Sequence, residues 1–269
     1  MQTKILGLIA GNGKFPIIFA QKARSQNYKV IAAGIKGDTS FLLKYFVSEH
    51  SLFKAGELKK LFSFLKEKGV THAVMAGQVS QRNLFKKDVV FDEEFQAIFD
   101  SLKDRKADTI FSAIANKLKE NGIELVDSTF LLKDCLAAKG ILSDRKPTDE
   151  ELLDIEFGKE IAKKMGAVDV GQTVVIKRKA IVAIEAMEGT DKAIYRGGKI
   201  AKNGAVVVKM SKPNQDLRFD VPVIGPRTIS VMKKCSASCL AIEAGKTLII
   251  DKETCLKIAN LAGICIISI

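Results

Sequence analysis

The chain has no tryptophan and only three tyrosines, two histidines and five prolines in 269 residues. His50 and His72 are its only imidazoles, and neither stands near a cysteine. No Cys–His nucleophile pair and no histidine-rich zinc site can therefore be argued. The five cysteines are an odd number without a CxxC pair, and Cys235-Ser-Ala-Ser-Cys239 has no second pair to complete a metal site. Reduced, mostly buried thiols are the expectation. No GxSxG is present, so covalent acyl chemistry on a nucleophile elbow is not expected either. No apolar run approaches the ~18 residues of a membrane-spanning helix. The early run Ile5–Ala10 is cut at once by Gly11-Asn12-Gly13-Lys14. It is too short for a signal peptide, and the expected location is the cytoplasm.

Positive charge, by contrast, is plentiful. Lys plus Arg number 43 against 31 Asp plus Glu, a net +12 spread over both halves of the chain. Nucleic-acid binders concentrate such charge in a stripe with stacking aromatics. Here aromatics are 7% of residues and mostly Phe at core-like spacing, so no nucleic-acid partner is expected. Dispersed cations suit a solvated surface, an anionic small substrate or an anionic lipid surface. With 47% hydrophobic and 28% charged residues the composition is that of a folded protein, long enough for one large domain or two modest ones.

Strand and helix signals alternate in the first half. Lys4–Ala10, Lys29–Gly34, Thr71–Ala76 and Gly122–Val126 read as strands, and Phe15–Asn27, Glu57–Lys68 and residues 93–120 as helical, which implies βαβ units and a parallel sheet. Gly140–Pro147 reads as a connector. Thr148-Asp-Glu-Glu151 has capping-box spacing before a helix to about Met165. Gln172–Ala186 reads as a hairpin or two adjacent strands, and strands are expected at Ala205–Met210, Leu240–Glu243, Thr247–Ile250 and Ile264–Ile269. Between the last two, Asp251 is expected to cap a helix. The expected fold class is α/β with two domains. Residues 1–140 form a Rossmann-like domain with a mostly parallel sheet, and residues 141–269 an α/β catalytic domain with a mixed sheet.

Gly11, Asn12 and Gly13 sit between a strand and a helix, where backbone N–H groups meet phosphate. They form half of a dinucleotide fingerprint: Pro16 replaces the last glycine, and no ribose-gripping carboxylate follows until Asp38. A tight turn without a ligand is the other reading.

The second half places polar groups among apolar strands: Gln172, Glu185, Glu188, Thr190, Asp191, Lys209, Lys212, Asp216, Arg218, Asp220 and Arg227. Glu185 ends an apolar run, where an acid needs a partner or a metal. Asp216, Arg218 and Asp220 alternate. In an extended segment all three share one face, which suits a hard cation bridged to phosphate oxygens. Buried ion pairs bracing the fold are the structural alternative. Water attack on phosphorus, aided by Mg²⁺ or Mn²⁺, is the chemistry these residues can perform.

GLIAGNGKFP at 7–16, AGQVS at 76–80, DVGQTVVIK at 169–177, AIEAMEGTD at 183–191, VVKMSKPNQDLRFDVPVIGP at 207–226 and AIEAGKTLIID at 241–251 resemble one family over the whole chain. It is that of the cytoplasmic UDP-2,3-diacylglucosamine pyrophosphatases of lipid A biosynthesis, the type unrelated to metallophosphoesterases. The resemblance implies hydrolysis of UDP-2,3-diacylglucosamine to 2,3-diacylglucosamine 1-phosphate and UMP with Mg²⁺. It places the family's essential aspartate, in its RFD-x-P motif, at Asp220. Two departures stand out: Gln78 where the family shows a basic residue, and Lys103–Asp108 in place of a GRxD-type segment.

The resulting expectation assigns catalysis to Asp220, Asp216, Lys209 and Arg218. Metal binding falls to Asp220, Asp216 and Glu185, and substrate binding to Gly11, Asn12, Gly13, Gln172, Thr190, Lys212 and Arg227. Peripheral contact with the inner membrane through surface lysines is expected, and a homodimer is one expected assembly. Two alternatives stay open: a nucleotide-sugar or dinucleotide enzyme of another reaction type, and a non-catalytic lipid-binding protein.

Overall fold

The computed structural model describes residues 4–79, 91–104 and 106–269. Ser80 of the AGQVS motif and Arg105 of the Lys103–Asp108 segment lie outside the described residues. The chain divides into two compact units. Unit 1 runs to Leu132 and also takes in Asp216–Asp220; unit 2 is Lys133–Gln215 with Val221–Ile269.

Unit 1 is built on five parallel strands: β1 (Lys4–Ala10), β2 (Tyr28–Ile35), β3 (Glu49–Phe53), β4 (His72–Ala76) and β5 (Glu124–Leu125), in the order β3-β2-β1-β4-β5. This is the doubly wound order, and its reversal lies between β1 and β4. The connections are α1 (Phe15–Ser25), a 3₁₀ turn (Phe41–Tyr45), α2 (Leu58–Glu67), α3 (Glu93–Ser101) and α4 (Ala107–Glu120). Pro16 stands in the first turn of α1, where its missing N–H costs nothing. Leu61, Leu65 and Phe62 on α2 pack with Ile98 of α3, Leu118 of α4 and Ile31 and Ala33 of β2 into one core. The helical reading of 93–120 resolves into two helices, because the chain extends at Leu102 and again at Lys106. β3, with the polar sequence EHSLF at the sheet edge, carries no apolar alternation and is absent from the sequence reading.

Unit 2 holds a six-stranded mixed sheet. Its strands are β6 (Gly140–Ile141), β7 (Thr173–Lys177), β8 (Ala180–Ile184), β9 (Val206–Lys209), β11 (Cys239–Ile242) and β13 (Cys265–Ser268), in the order β6-β13-β11-β9-β7-β8. β9, β11 and β13 are parallel, whereas β7 runs against β8 and β9 as the expected hairpin. β10 (Val223–Ile224) and β12 (Leu248–Ile249) form a separate parallel pair. Strand residues alternate between two apolar layers. Val174, Ile176, Val206 and Val208 pack with Ile155 and Ala162 of α5 (Asp149–Ala167). Val175, Val207, Leu240 and Ile266 pack with α6 (Thr190–Ala201), α7 (Pro226–Lys234) and α8 (Lys252–Leu261) through Ile194, Ile229, Met232 and Ala259. Gly158 lets α5 lie directly on β7 and β9, since a Cβ there would run into Ile176 and Val208. Asp251 does not cap α8 as expected: it is left-handed, with φ 55°, and its side chain makes no capping bond. No helix among the described residues is long and apolar enough to cross a membrane.

The capping box of α5 is present and belongs to a larger network. Glu151 receives the Thr148 N–H (2.9 Å), the Ser238 hydroxyl (2.6 Å) and both ends of the Arg145 guanidinium (2.8 and 2.9 Å). Arg145 in turn donates to the carbonyls of Gly263 (2.7 Å) and Ser238 (2.5 Å), so the 140–148 connector is fastened to the amino-terminal edge of the sheet. Burial pushes the Glu151 carboxyl up. The bonds from Arg145, Ser238 and Thr148 outweigh that, and its pKa lies below the ordinary value. A depressed carboxylate stabilises the fold above its unfolded pKa, and that contribution is lost as pH falls through the folded value. Glu151→Ala is accordingly expected to cost about 2–4 kcal/mol at neutral pH. In urea titrations its gap from wild type should narrow once pH drops below about 4. An equal gap at acid and neutral pH would remove the carboxylate as its source.

Candidate functional site

In open α/β sheets, ligands gather beyond the carboxyl ends of the parallel strands. In unit 2 that edge carries most of the polar residues singled out from sequence. Lys209 closes β9, registers with Thr173 and Ile242 on the flanking strands, and is only 3% exposed. Its Nζ donates to Thr190 Oγ1 (2.8 Å), lies 3.5 Å from Thr173 Oγ1 and pairs with Glu185 Oε2 at 3.9 Å. The Thr190 hydroxyl in turn donates a hydrogen bond to Glu185 Oε1 (2.7 Å). The arrangement follows from topology: β8 delivers Glu185 to the edge, and Gly189, at φ +83°, turns the chain so that Thr190 opens α6 beside it. The N-terminal end of α6 adds positive potential there. Gly171 makes room for the Glu185 backbone, because a Cβ at 171 would run into the Glu185 carbonyl. Gln172 Oε1 and Glu185 Oε2 are buried with no hydrogen-bond partner among the described residues. Two buried acceptors without donors, beside a buried cation, mark a place where a ligand's hydrogens or a bound ion would lower the energy.

The remaining unit 2 candidates surround this group in pairs. Lys212 Nζ binds Asp169 Oδ1 at 2.6 Å, and its N–H donates to Gln215 Oε1 (2.6 Å). Arg227 Nε meets Asp191 Oδ2 at 2.9 Å, while the Thr228 hydroxyl donates to Asp191 Oδ1 (3.0 Å). Glu188 pairs with Arg196 at 2.6 Å. Thr173, Ser211 and Glu243 were not assigned to the site from sequence. Glu243, just past β11, accepts the Ser211 N–H (2.8 Å) and hydroxyl and also pairs with Lys246 at 2.9 Å. Burial raises its pKa, and the Ser211 and Lys246 bonds bring it below the ordinary value. Its signal was the acid directly after an apolar strand in AIEAGKTLIID.

Asp216, Arg218 and Asp220 belong to unit 1, and their conformation corrects the extended reading. Residues 217–219 form a turn, closed by the N–H of Asp220 on the carbonyl of Asp216 at 2.9 Å. Ser128, just beyond β5, holds the segment at the carboxyl edge. Its N–H donates to the Leu217 carbonyl (2.9 Å), and its hydroxyl lies 2.8 Å from the Arg218 carbonyl and 2.6 Å from that of Met75 on β4. Phe219 stacks on Phe111, with centroids 5.7 Å apart, and joins the unit 1 core. Burying that ring is worth about 2 kcal/mol, which an extended segment would forfeit. In the turn Arg218 folds back on Asp216, with Nε 3.0 Å from Oδ1 and Nη2 2.6 Å from Oδ2. The guanidinium holds the Asp216 carboxyl below the usual range. These two side chains therefore engage each other instead of presenting a shared ligand face.

The glycine loop also differs from its expected use. The N–H groups of Gly11 and Asn12 bind the carbonyls of Ala76 (2.8 Å) and Gln78 (2.7 Å), and Gln78 returns a bond to Asn12. Gly11 is glycine because a Cβ would sit 2.6 Å from the Gln78 carbonyl oxygen. The loop thus locks β1 to β4 at the topological switch. Gly13, at φ +96° with open space where a Cβ would stand, is exposed, whereas Phe15 and Pro16 in the first turn of α1 are buried and no side chain caps that helix.

Among the described residues no three His, Cys, Asp or Glu side chains converge as a metal cage. Of the expected trio, Asp216 is engaged by Arg218, and Glu185 belongs to unit 2. The donor set fits a different mode. Mg²⁺ commonly uses one or two carboxylates and completes its shell with substrate phosphate oxygens and water.

Fold and edge chemistry define a two-unit α/β protein, with a buried lysine–threonine–carboxylate group at the carboxyl edge of its second sheet. Residues 5–135 match the LpxI N-terminal domain and residues 138–267 the LpxI C-terminal domain. The chain belongs to the LpxI family. It is 27% identical over 277 residues to the UDP-2,3-diacylglucosamine pyrophosphatase LpxI of Caulobacter vibrioides, covering 98% of this chain and 97% of that protein. Among solved structures, the biotin carboxylase domain of a single-chain bacterial carboxylase is 14% identical with a TM-score of 0.29. It is matched over 66% of this chain and 37% of its own length. That of the Hydrogenobacter thermophilus 2-oxoglutarate carboxylase is 12% identical with a TM-score of 0.30, over 75% of this chain and 42% of its own. The chain spans less than half of those proteins, and likeness at that level carries nothing about this one.

Proposed function

We propose that the chain hydrolyses the diphosphate of UDP-2,3-diacylglucosamine to 2,3-diacylglucosamine 1-phosphate and UMP, a step of lipid A biosynthesis, at the cytoplasmic face of the inner membrane. The single observation that carries the reading is the buried Lys209–Thr190–Glu185 group, with its orphaned acceptors, in a member of this family. A lysine kept this dry acts strongly on an oxyanion, because little water screens it. Lys209 and Lys212 offset the charge that grows on the phosphoryl group not under attack, and Arg227 at the start of α7 steers the anion. The open turn at Gly13 contacts phosphate through backbone N–H groups.

Asp220 is the residue that would hold Mg²⁺, or Mn²⁺ in its place. When bound, the ion supplies charge neutralisation and an acidified water. Asp216 positions Arg218 and keeps the turn that carries Asp220. A redox dinucleotide is disfavoured, since β2 ends in Gly34 and Ile35 without a carboxylate for the ribose.

The test is hydrolysis by the purified full chain of detergent-dispersed UDP-2,3-diacylglucosamine, with UMP read by mass spectrometry. UMP should accumulate with Mg²⁺, stop with EDTA and resume when Mg²⁺ is restored. No UMP under any metal condition overturns the reading, and UMP undiminished in EDTA overturns its metal part.

A further inference from the structure

Unit 1 leaves an apolar cluster in water beyond the carboxyl end of β2. In the 3₁₀ turn, Leu43 points into the protein while Phe41 is 71% and Tyr45 62% exposed, with Leu42 exposed between them. Leu52 on the neighbouring edge strand β3 is also half exposed. It lies over Gly34 beside Thr39, two residues before Phe41, in space that a Cβ at position 34 would take. The turn is held in place: Thr39 accepts the Ile35 N–H (2.7 Å) and donates to the Ala10 carbonyl (2.5 Å), and Arg24 of α1 donates to the Tyr45 carbonyl (3.3 Å). These residues therefore stand out from a fixed support.

Charge surrounds the cluster. Arg24, Lys36, Lys44 and Lys54 are all exposed around it, and the Lys44 ammonium lies 5.0 Å from the centre of the Tyr45 ring. Glu49, the nearby acid of β3, is neutralised by Lys29 at 3.2 Å and Lys68 at 2.5 Å. A projecting turn with aromatic and aliphatic tips, ringed by long cationic side chains, has the chemistry of interfacial insertion. The rings enter the acyl boundary, and the lysines reach anionic headgroups. A protein partner would instead be favoured by a concave apolar groove, whereas these side chains are carried exposed on a short 3₁₀ turn and an edge strand.

We propose that Phe41, Leu42, Tyr45 and Leu52, with their basic rim, form a membrane-insertion patch that seats unit 1 on a bilayer containing anionic lipid. This assigns a surface that the hydrolase reading leaves unspecified. Only its corollary, bringing the enzyme to a two-chain lipid substrate, rests on that reading.

The test is co-sedimentation of the full chain with vesicles of phosphatidylcholine, or of equal parts phosphatidylcholine and phosphatidylglycerol. Wild type should bind the anionic vesicles and release in high salt. Phe41→Ser with Tyr45→Ser should lower the partition coefficient about tenfold or more. Lys36→Glu with Lys44→Glu should lower it by at least about fivefold for each lysine lost. Ile200→Ser with Leu261→Ser, at exposed positions of unit 2, should leave it unchanged. Circular-dichroism melts check that each variant is folded. Wild type that fails to sediment, folded patch variants that bind like wild type, or a unit 2 variant that loses binding equally would each overturn the proposal. UMP release from detergent-dispersed substrate is followed in parallel and should persist in the patch variants. Its absence from wild type as well would count against the hydrolase reading while leaving the vesicle result standing.

Discussion

Asp220→Asn is expected to reduce UMP release by about a hundredfold to a thousandfold while the protein remains folded and still binds its substrate. Removing the negative charge removes a carboxylate ligand for a hard cation, and asparagine keeps the volume. The fold is expected to survive because asparagine fills the same space and other contacts hold the turn. That work falls to Phe219 stacked on Phe111, to Ser128 on the Leu217 carbonyl, and to the Asp220 N–H on Asp216. Initial rates by mass spectrometry and substrate binding by calorimetry separate the two effects. Turnover close to wild type would take Asp220 out of the reaction. Loss of binding together with turnover would make it a binding group.

Lys209→Met should have the largest effect on stability, about 3–5 kcal/mol in urea unfolding. The cost comes from stranding a carboxylate. Glu185 would keep the Thr190 hydroxyl but lose the Lys209 ammonium, within a site whose Lys209 and Glu185 side chains are both largely buried. Adding Glu185→Gln removes the stranded charge and should restore much of the lost stability, a non-additivity that a double-mutant cycle measures directly. Activity should follow a different course. With Lys209 stabilising the oxyanion, the double variant regains its fold and stays inactive. Recovery of both would reduce Lys209 to a structural ion pair.

Much of the chain was readable from local pattern. The apolar run of β1, the capping box of α5 and the paired β-branched runs of β7 and β8 stand as read, because each depends on side-chain period or on residues three or four apart. α6 escaped the reading for an equally physical reason. Its Gly197 and Gly198 lower helix propensity, yet a Cβ at 197 would sit 2.7 Å from that of Val175, and one at 198 would run into Cys235. Close packing on β7 and α7 requires glycine where propensity disfavours it. The Asp216–Arg218–Asp220 alternation looked like a strand for the converse reason. Its period is two, but the burial of Phe219 and the bonds from Ser128 decide the conformation.

Residue order alone settled the α/β class, the clustering of polar groups after Gln172 and the chemistry open to a chain with so few histidines, since these are matters of composition and neighbouring spacing. Which acid faces a cation and which closes on an arginine was decided only by the tertiary structure. So was the use of the Gly11 and Asn12 amides between strands instead of on an anion. Such choices turn on free-energy differences among partners far apart in the chain. Ser128, whose hydroxyl lies between the carbonyls of Met75 and Arg218, joins segments that local pattern cannot connect.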